Sequence, residues 1–243
     1  MNQAIQFKEA KPFSHLVMDD FFDDISAKKM AEEFPSYESS AWTAHYLSAI
    51  EDKKTSNHWD KFPESIYTGL SYLCSPWWTL KLSDITDVDR IYPDYGLHGG
   101  GMHSHRPGGY LNIHLDYSIH PKLKLERKFN LIVYLTPEWR PEWGGGLQFW
   151  SHDEETNKPK EMVTYIENKF NRAVLFDTTQ NSWHGLPEPI KCPDNVTRNS
   201  LAMYYLTNPA PNANPRNRAL FVPNKEQEND SEVQALIDKR SKL

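Results

Sequence analysis

The residues of this sequence with the clearest chemical potential lie in the segment 108–117, Gly-Gly-Tyr-Leu-Asn-Ile-His-Leu-Asp-Tyr. Its apolar and polar residues alternate, which predicts a half-buried strand. Because successive side chains of a strand point to opposite faces, Asn112, His114 and Asp116 should share one face. An imidazole and a carboxylate placed two residues apart on one face can bind the same metal ion, although two ligands do not complete a site.

The sequence offers a third ligand in His184, which follows another strand-like run at 172–177. Two histidines and one carboxylate are the ligand set of non-haem iron(II) oxygenases, and these three ligands leave one face of the metal open. We therefore predict that His114, Asp116 and His184 form a metal site with a catalytic role.

Short strand-like runs follow one another through the glycine-containing middle of the chain. Nine of the eleven glycines lie between Gly96 and Gly146. The predicted strands are 98–105, 110–117, 128–135, 146–150, 172–177 and 200–207. Repeated short strands without intervening helices favour an antiparallel sandwich or barrel over a parallel, doubly wound sheet.

Helices are predicted before this region, within residues 1–95. Ser26 is the predicted cap of one helix, and Pro63 should open a second. Ser75 followed by Pro76 is a favourable start for a third helix, because serine caps a helix and proline suits its first position. The apolar faces of these helices should cover a sheet.

The remaining segments carry weaker signals. Residues 11–18 resemble a first strand, and residues 36–60 show no clear period and are predicted to be a surface excursion. Residues 208–243 should form a loop and a charged C-terminal tail that is weakly helical from Ser231.

Length, charge and composition exclude several classes of protein. A chain of 243 residues can bury a sizeable core and usually forms one domain. The formal net charge is −6, with acidic and basic residues mixed and no basic block, so we expect no nucleic-acid partner. No long apolar segment occurs at the N-terminus, so neither a signal peptide nor a membrane span is predicted.

Two features bear on cellular location. Cys74 and Cys192 lie far apart, which predicts neither a disulfide framework nor a zinc knuckle and fits a reducing compartment such as the cytoplasm. The chain also ends in Ser-Lys-Leu, which a eukaryotic cell would read as a peroxisomal address. A chance ending on a charged tail is the alternative.

Six motifs occur in a fixed order through the middle of the chain. They are His114-Leu-Asp116, Phe129–Trp139, Trp143-Gly-Gly-Gly-Leu147, Asn171–Phe176, His184-Gly185 and Arg198-Asn-Ser200. There are 67 residues between Asp116 and His184, and 13 between His184 and Arg198. Together these motifs resemble the Fe(II)- and 2-oxoglutarate-dependent oxygenase superfamily, in particular its prolyl-4-hydroxylase-like branch.

This resemblance implies a mainly β (α+β) fold with a double-stranded β-helix, or jelly-roll, core and supporting N-terminal helices. In a single oxygenase domain, 1–243, residues 1–95 would be largely helical support and 96–207 the jelly-roll catalytic core. Residues 208–243 would be the loop and the charged tail. The strand count obtained without the resemblance agrees with this fold.

The resemblance also implies Fe(II) as the metal and 2-oxoglutarate as the cosubstrate, with ascorbate as a further candidate. The far carboxylate of 2-oxoglutarate needs a cation, and Arg198 suits because a guanidinium binds a carboxylate through two parallel hydrogen bonds. Ser200 lies on the same face and can add a hydroxyl donor. Tyr134 matches a position where related prolyl hydroxylases place a phenol, and Asn112 completes the predicted cofactor-binding set.

The implied reaction is hydroxylation of an unactivated C–H bond with release of succinate and CO2. The intact Asp116 favours hydroxylation, because relatives that halogenate carry a small residue there. Prolyl-4-hydroxylases often carry lysine where Arg198 stands, which weakens the assignment of a prolyl substrate. A prolyl residue or free proline therefore leads, and a small sugar-like molecule is the alternative.

The substrate is expected to be a polar small molecule or a peptide held at a glycine-rich rim. Residues 99–109 predict a flexible rim with His103, His105 and Arg106 as hydrogen-bond donors. Loops on a rigid scaffold are where such recognition usually occurs.

Two other classes of function stay open. A cupin-like metal-dependent dioxygenase or isomerase needs no 2-oxo acid and would have no use for a buried Arg198 and Ser200. A non-enzymatic jelly-roll module, for example a sugar binder, would leave the inward histidines and aspartate without a purpose.

Overall fold

The computed structural model describes residues 2–216 and 218–242. The helices are α1 (Gln3–Glu9), α2 (Asp24–Glu33), α3 (Glu64–Leu73), α4 (Pro76–Thr86) and α5 (Ser231–Lys242). The strands are β1 (His15–Met18), β2 (Ala44–Ser48), β3 (Glu51–Ser56), β4 (Tyr92–Pro93), β5 (Gly101–His105), β6 (Tyr110–Leu115), β7 (Glu126–Tyr134), β8 (Leu147–Asp153), β9 (Lys158–Ile166), β10 (Ala173–Asp177), β11 (Trp183–Leu186), β12 (Arg198–Thr207) and β13 (Leu220–Phe221). Within these residues, no helix has the length and apolar character that crossing a membrane requires.

The strands form one curled antiparallel sheet. Its order is β1-β10-β7-β12-β5-β3-β6-β11-β8-β9, so the chain crosses repeatedly between two layers. One layer contains β5, β12, β7 and β10, and the other contains β6, β11, β8 and β9. Strand β3 pairs with both β5 and β6 and so joins the two layers along one side. This arrangement confirms the predicted jelly-roll core.

The N-terminal helices cover the outer face of the first layer, as predicted. Trp78 and Leu82 of α4 belong to one apolar cluster with Leu131 of β7 and Leu201 of β12, and all four are almost completely buried. The indole of Trp78 donates a 2.7 Å hydrogen bond to the hydroxyl of Tyr205. The helices therefore fix the outer face of this layer, and the inner face remains available for a cavity.

The structure confirms one predicted helix start and corrects another. Ser75 caps α4 by accepting a hydrogen bond from the Trp78 backbone at 3.3 Å, with Pro76 in the first turn. Helix α2 begins two residues before Ser26, because Asp23 is the cap and accepts a 3.0 Å hydrogen bond from the Ser26 backbone. The Ser26 prediction was wrong because Asp23, an equally favourable cap, lies three residues earlier and takes the capping position.

Residues 36–60 are not the surface excursion that was predicted. They contain the hairpin of β2 and β3, which pairs Ala44 with Thr55 and Ser48 with Glu51. Strand β3 reads Glu-Asp-Lys-Lys-Thr-Ser and carries no apolar residue, so it shows none of the alternation by which strands are recognised.

The C-terminal helix begins at Ser231, where the sequence predicted weak helicity. Its residues Val233 and Ile237 pack against Ile50 and Phe221, so α5 joins the hairpin to β13. Leu243, and with it the end of the Ser-Lys-Leu motif, lies outside the described residues.

Candidate metal and cosubstrate site

Three of the predicted ligands meet in a cavity between the two layers of the sheet. One potential ligand atom from each of His114, Asp116 and His184 lies within 4.8 Å of the other two. The carboxylate oxygens of Asp116 lie 3.8 Å from the Nε2 atom of each histidine. The three side chains are thus arranged around a single point, as a metal site requires.

Both histidines are oriented by backbone carbonyls. The Nδ1 of His114 donates to the carbonyl oxygen of Asn112 at 3.0 Å, and the Nδ1 of His184 donates to that of Ser182 at 2.8 Å. This bonding fixes the tautomer and leaves each Nε2 lone pair facing the centre. The ring of His114 also stacks on Phe221, with centroids 4.9 Å apart.

The protonation states of the three side chains suit a metal ion. Burial is the main cause that lowers the pKa of His114, to about 3, and burial also lowers the pKa of His184. Burial alone would raise the pKa of Asp116, but the charge of Arg127 and the two imidazoles bring it down to about 2. At neutral pH the site therefore contains two neutral imidazoles and one carboxylate, which are the forms that bind metal.

Arg127 holds the carboxylate of Asp116 in place, and sequence reasoning missed it. Its Nη1 lies 3.0 Å from Oδ1 of Asp116. The guanidinium is sandwiched between two aromatic rings, 3.8 Å from the centroid of Tyr117 and 3.2 Å from that of Tyr204. Such a clamp fixes both the position and the direction of the arginine.

A change of register explains why Arg127 escaped prediction. Asn130, Ile132 and Tyr134 share the cavity face of β7, and a simple alternation would add Lys128 to them. Strand β12 instead places Tyr205 opposite Phe129 and Leu206 opposite Arg127, so Lys128 is skipped. The skipped residue shifts Arg127 to the cavity, whereas Lys128 pairs with Asp177 at 2.8 Å.

A similar irregularity changes the role of Asn112. On β11, His184 and Leu186 are two residues apart, but their partners on β6 are His114 and Leu111. Leu111 and His114 therefore line the cavity, and the Asn112 amide donates instead to the Val222 carbonyl and to Gln227. The side chain of Asn112 is not brought to the predicted cofactor site, although its carbonyl orients His114.

Gly185 permits this close pairing. A Cβ at this position would lie 2.7 Å from the carbonyl oxygen of Leu111 and 2.8 Å from that of Asn112. The backbone of β11 can thus approach the irregular part of β6 only with glycine here. This contact gives a physical reason for the His184-Gly185 motif.

Arg198 lies in the wall of the same cavity, buried and without a carboxylate partner among the described residues. Its Nε donates a 2.7 Å hydrogen bond to the carbonyl of Gly145. Gly145 has a φ of +70°, and a Cβ there would lie 3.2 Å from Cδ of Arg198. The glycine run 144–146 therefore lets the backbone both turn and hold the arginine.

Two predicted neighbours accompany Arg198. Ser200 follows on the same face of β12, and Tyr134 is its direct partner on β7. The Tyr134 ring lies 4.8 Å from the guanidinium carbon of Arg198. Its buried hydroxyl has no hydrogen-bond partner in the described part of the chain. Among the described residues, the arginine has no carboxylate partner and the phenol has no hydrogen-bond partner, so the two side chains fit the carboxylate of a bound molecule.

His103 and His105 extend this polar wall and do not form a flexible rim. Both lie on β5, where His105 is opposite Arg198 and His103 is opposite Ser200. Nε2 of His103 and both ring nitrogens of His105 are buried without a partner among residues 2–216 and 218–242. The rim prediction was wrong for these two residues, because they lie within β5, which begins at Gly101 and forms part of the cavity wall.

Arg106 is directed away from the cavity. Its guanidinium binds Asp52, with Nη2 2.9 Å and Nε 3.0 Å from Oδ2. This pair borders a separate surface groove with Tyr37 and Glu38. The structure therefore separates Arg106 from the two histidines with which it was predicted to act.

The cavity mouth is built from segments that the sequence did not indicate. The cavity has a volume of about 630 Å³, a size typical of small-molecule sites. Its outer lining includes Tyr46, Glu51 and Lys53 of the hairpin, Arg218 from the loop before β13, and Arg240 of α5. Only contacts between distant segments place them together, so no local motif could have revealed them.

Residues 100–206 match the family model described as the 2OG-Fe(II) oxygenase superfamily. The matched segment contains the three predicted metal ligands, Arg198 and Ser200. This core is similar to the 2OG-Fe(II) oxygenase superfamily. The resemblance found in the sequence is thereby confirmed.

Two solved hydroxylases and HygX share the fold at low sequence identity. The chain is similar to a Pseudomonas putida prolyl-4-hydroxylase, with a TM-score of 0.58, 14% identity, and coverage of 86% of this chain and 100% of that one. A Trichoplax adhaerens prolyl hydroxylase, solved with a hypoxia inducible factor peptide fragment, gives a TM-score of 0.58 at 16% identity, covering 84% and 88%. HygX from Streptomyces hygroscopicus, solved with nickel, 2-oxoglutarate and hygromycin B, gives 0.54 at 11% identity, covering 85% and 87%.

One similarity is detectable in sequence to a mouse protein, prolyl 3-hydroxylase OGFOD1. The two are 28% identical over 79 residues. The match covers 32% of this chain and spans only 14% of the length of the mouse protein.

Proposed function

We propose that this oxygenase is an Fe(II)- and 2-oxoglutarate-dependent hydroxylase, which oxidises a C–H bond and releases succinate and CO2. The observation that supports the proposal is the content of a single cavity. One part of it holds the His114–Asp116–His184 centre, and the wall holds Arg198, a buried cation without a carboxylate partner among the described residues.

The side chains of the cavity fit both Fe(II) and 2-oxoglutarate. His114, Asp116 and His184 would hold Fe(II), and Arg198, Ser200 and Tyr134 would hold the far carboxylate of 2-oxoglutarate. The unpartnered hydroxyl of Tyr134 is the observation that tests this fit, since a buried phenol without a hydrogen bond costs free energy until a ligand accepts from it. When bound, the metal would activate dioxygen, the oxidant, and 2-oxoglutarate would supply two of the four electrons that dioxygen accepts, the substrate supplying the other two.

The protein's own contribution is to position the reactants and to exclude water. Ile132, Leu147 and Leu186 give the cavity wall apolar surface. Arg127 and the two backbone carbonyls hold the metal ligands in one geometry. A fixed centre in a partly apolar cavity strengthens electrostatic interactions with bound groups, because fewer water molecules compete.

The proposed substrate is polar, with a prolyl group as the leading candidate. Support comes from the names of the mouse relative and of two structural neighbours, which are prolyl hydroxylases. HygX was solved with hygromycin B, so the same fold also accommodates a small molecule. A sugar-like substrate is therefore the second candidate.

The cupin-like and binding-module hypotheses are less well supported. Neither gives a role to a buried Arg198 whose polar neighbours Ser200 and Tyr134 lie directly across the strands from each other. A cupin-like enzyme would turn over its substrate equally well with and without 2-oxoglutarate.

The test is succinate release from 2-oxoglutarate by the iron-loaded protein, measured with proline-rich peptides, free amino acids and sugars. We expect iron-dependent succinate formation that at least one polar compound stimulates, with one oxygen atom gained by that compound. Absence of 2-oxoglutarate consumption by protein that binds iron stoichiometrically would overturn the proposal.

A further inference from the structure

The cavity carries a charge opposite to that of the whole chain. The chain has a formal net charge of −6. The described residues that line the cavity include five cations, Lys53, Arg127, Arg198, Arg218 and Arg240, and two carboxylates, Glu51 and Asp116. The lining therefore has an excess of three positive charges.

The groups of the proposed reaction do not remove this excess. Asp116 is paired with Arg127, and Arg198 is suited to the far carboxylate of 2-oxoglutarate. Iron(II) carries two positive charges and 2-oxoglutarate two negative ones, so adding both groups leaves the total excess of three charges unchanged. Two unbalanced positive charges remain at the mouth, where Lys53, Arg218 and Arg240 face one carboxylate.

That carboxylate, Glu51, is shared by two of the cations. Its side chain is only 3% exposed, and its Oε2 lies 3.3 Å from Nζ of Lys53. Its Oε1 accepts a hydrogen bond from Arg240. Glu51 neutralises only one of these two positive charges, so Lys53, Glu51 and Arg240 together keep a net charge of one. The side chain of Lys53 is 14% exposed.

Arg218 adds the second unbalanced charge. It is exposed, lines the cavity, and forms no ion pair with any carboxylate that the structure describes. It lies two residues before β13, whose Phe221 stacks on His114. The guanidinium carbon of Arg240 lies 5.7 Å from the centroid of the same ring. Phe221 thus lies next to both Arg240 and the metal ligand His114.

We propose that the primary substrate carries an acidic group, a carboxylate or a phosphate, which binds to Lys53, Arg218 and Arg240 at the cavity mouth. This inference rests on the proposed function and narrows its polar substrate to an anionic one. The acidic group occupies the mouth, and the carbon to be oxidised points inward to the metal centre. Cations at the mouth also attract an anion from solution before it binds, because a cleft lined by one sign of charge focuses the field.

A binding experiment tests this without knowledge of the natural substrate. Sulfate is titrated calorimetrically into protein saturated with manganese(II) and 2-oxoglutarate. We expect one sulfate site whose affinity falls at least about tenfold in Lys53→Met and in Arg240→Gln, as the loss of a charge-assisted hydrogen bond implies. Absence of the site, or equal affinity in the parent and both variants, would overturn the inference.

Lys54→Met is the matched control, because Lys54 follows Lys53 on β3 but is bonded on the opposite side to the carbonyl of Tyr37 at 2.7 Å. Sulfate affinity should be unchanged in this variant. Unfolding temperatures of all variants show whether a loss of binding reflects a loss of structure.

A turnover experiment then identifies the source of the anion. Matched acidic and neutral compounds are compared in the iron-loaded enzyme: free proline with prolinamide, acidic with amidated prolyl peptides, and sugar acids or sugar phosphates with neutral sugars. The acidic member of a pair should give at least about tenfold higher kcat/KM, and Lys53→Met should abolish the preference. Equal or better turnover of the neutral members overturns the inference.

The two proposals fail in different ways. If the parent protein consumes 2-oxoglutarate but prefers neutral compounds, only the anionic assignment fails. If it consumes no 2-oxoglutarate although it binds metal and sulfate, the proposed function fails and the anion site stands.

Discussion

The floor and the mouth of the cavity are built in different ways. The floor holds the metal ligands on β11 and on or directly after β6 in one layer, and Arg198 on β12 in the other, and each of these strands is hydrogen-bonded to its neighbours in the sheet. The mouth takes its cations from the β2–β3 hairpin, the loop before β13 and α5. Glu51 and Arg240, which meet there, are 189 residues apart in the chain.

In the proposed function, the floor carries out the reaction and the mouth recognises the substrate. Floor side chains are fixed by strand register and by partners such as the Asn112 carbonyl and Arg127, so their geometry tolerates little change. The mouth cations are long side chains from β3, a loop and a helix, and replacing a side chain leaves the backbone pairing of the sheet in place. Substitutions in the floor should therefore reduce every reaction of the enzyme, and substitutions in the mouth should change only which compound is accepted.

The largest effect is expected for His184→Ala in the floor. Removing one of three ligands should abolish iron-dependent turnover, by about a thousandfold or more, and leave the fold largely intact. Metal stoichiometry and succinate release measure the loss, and circular dichroism checks the fold. The exposed His58→Ala is the matched control. Retained iron-dependent turnover in His184→Ala would contradict the metal assignment.

The next effect concerns the cosubstrate end of the floor. Arg198→Ala should weaken 2-oxoglutarate binding by roughly 10- to 100-fold, because the carboxylate loses a charge-assisted pair of hydrogen bonds. Arg198→Lys keeps the charge but loses the two parallel hydrogen bonds. The KM for 2-oxoglutarate should therefore rise less than in Arg198→Ala, and this rise should be larger than the fall in kcat. Steady-state kinetics with Arg140→Ala as the control measures both. Equal 2-oxoglutarate affinity in Arg198→Ala and the parent would refute this role.

A smaller effect is expected for Arg127, which touches the metal site only through Asp116. Arg127→Lys keeps a positive charge but loses the stacking between Tyr117 and Tyr204. Metal affinity should fall by about tenfold, in line with the effect of residues that orient metal ligands. Competitive titration with manganese(II) measures it, and an unchanged affinity would show that Asp116 needs no such support.

The smallest effect is expected in the mouth. The side chain of Arg240 is 38% exposed, so Arg240→Ala should lower the free energy of unfolding by no more than about 1 kcal/mol. The KM for 2-oxoglutarate should stay within about twofold of the parent. Urea unfolding and steady-state kinetics test both statements, and a large change in the KM for 2-oxoglutarate would remove the distinction between floor and mouth.

The sequence indicated which residues meet in the floor, because these residues lie in segments of alternating apolar and polar residues and in motifs of fixed order. His114, Asp116, His184, Arg198, Ser200 and Tyr134 all belong to such runs. Its failures have a common physical cause. At Asn112 and near Lys128, an irregularity in strand pairing changes which side chains face the cavity. The apolar–polar pattern of a single strand cannot predict such an irregularity, because it depends on the register with the neighbouring strand.

The mouth could not be predicted for a different reason. Strand β3 is polar along its whole length, and its place in the sheet is set by pairing with β5 and β6. Arg218 and Arg240 lie in a loop and a charged tail that resemble ordinary solvated segments. Their role follows from contacts across the chain, which no local pattern records.

The contact between Glu51 and Arg240 also sets an order of events during synthesis. Ribosomes add about 5–20 residues per second, so roughly 10–40 s separate the appearance of these two residues. His184, the last metal ligand, is made well before Arg240. The nascent chain therefore possesses its complete set of metal ligands while the entrance above them still lacks α5.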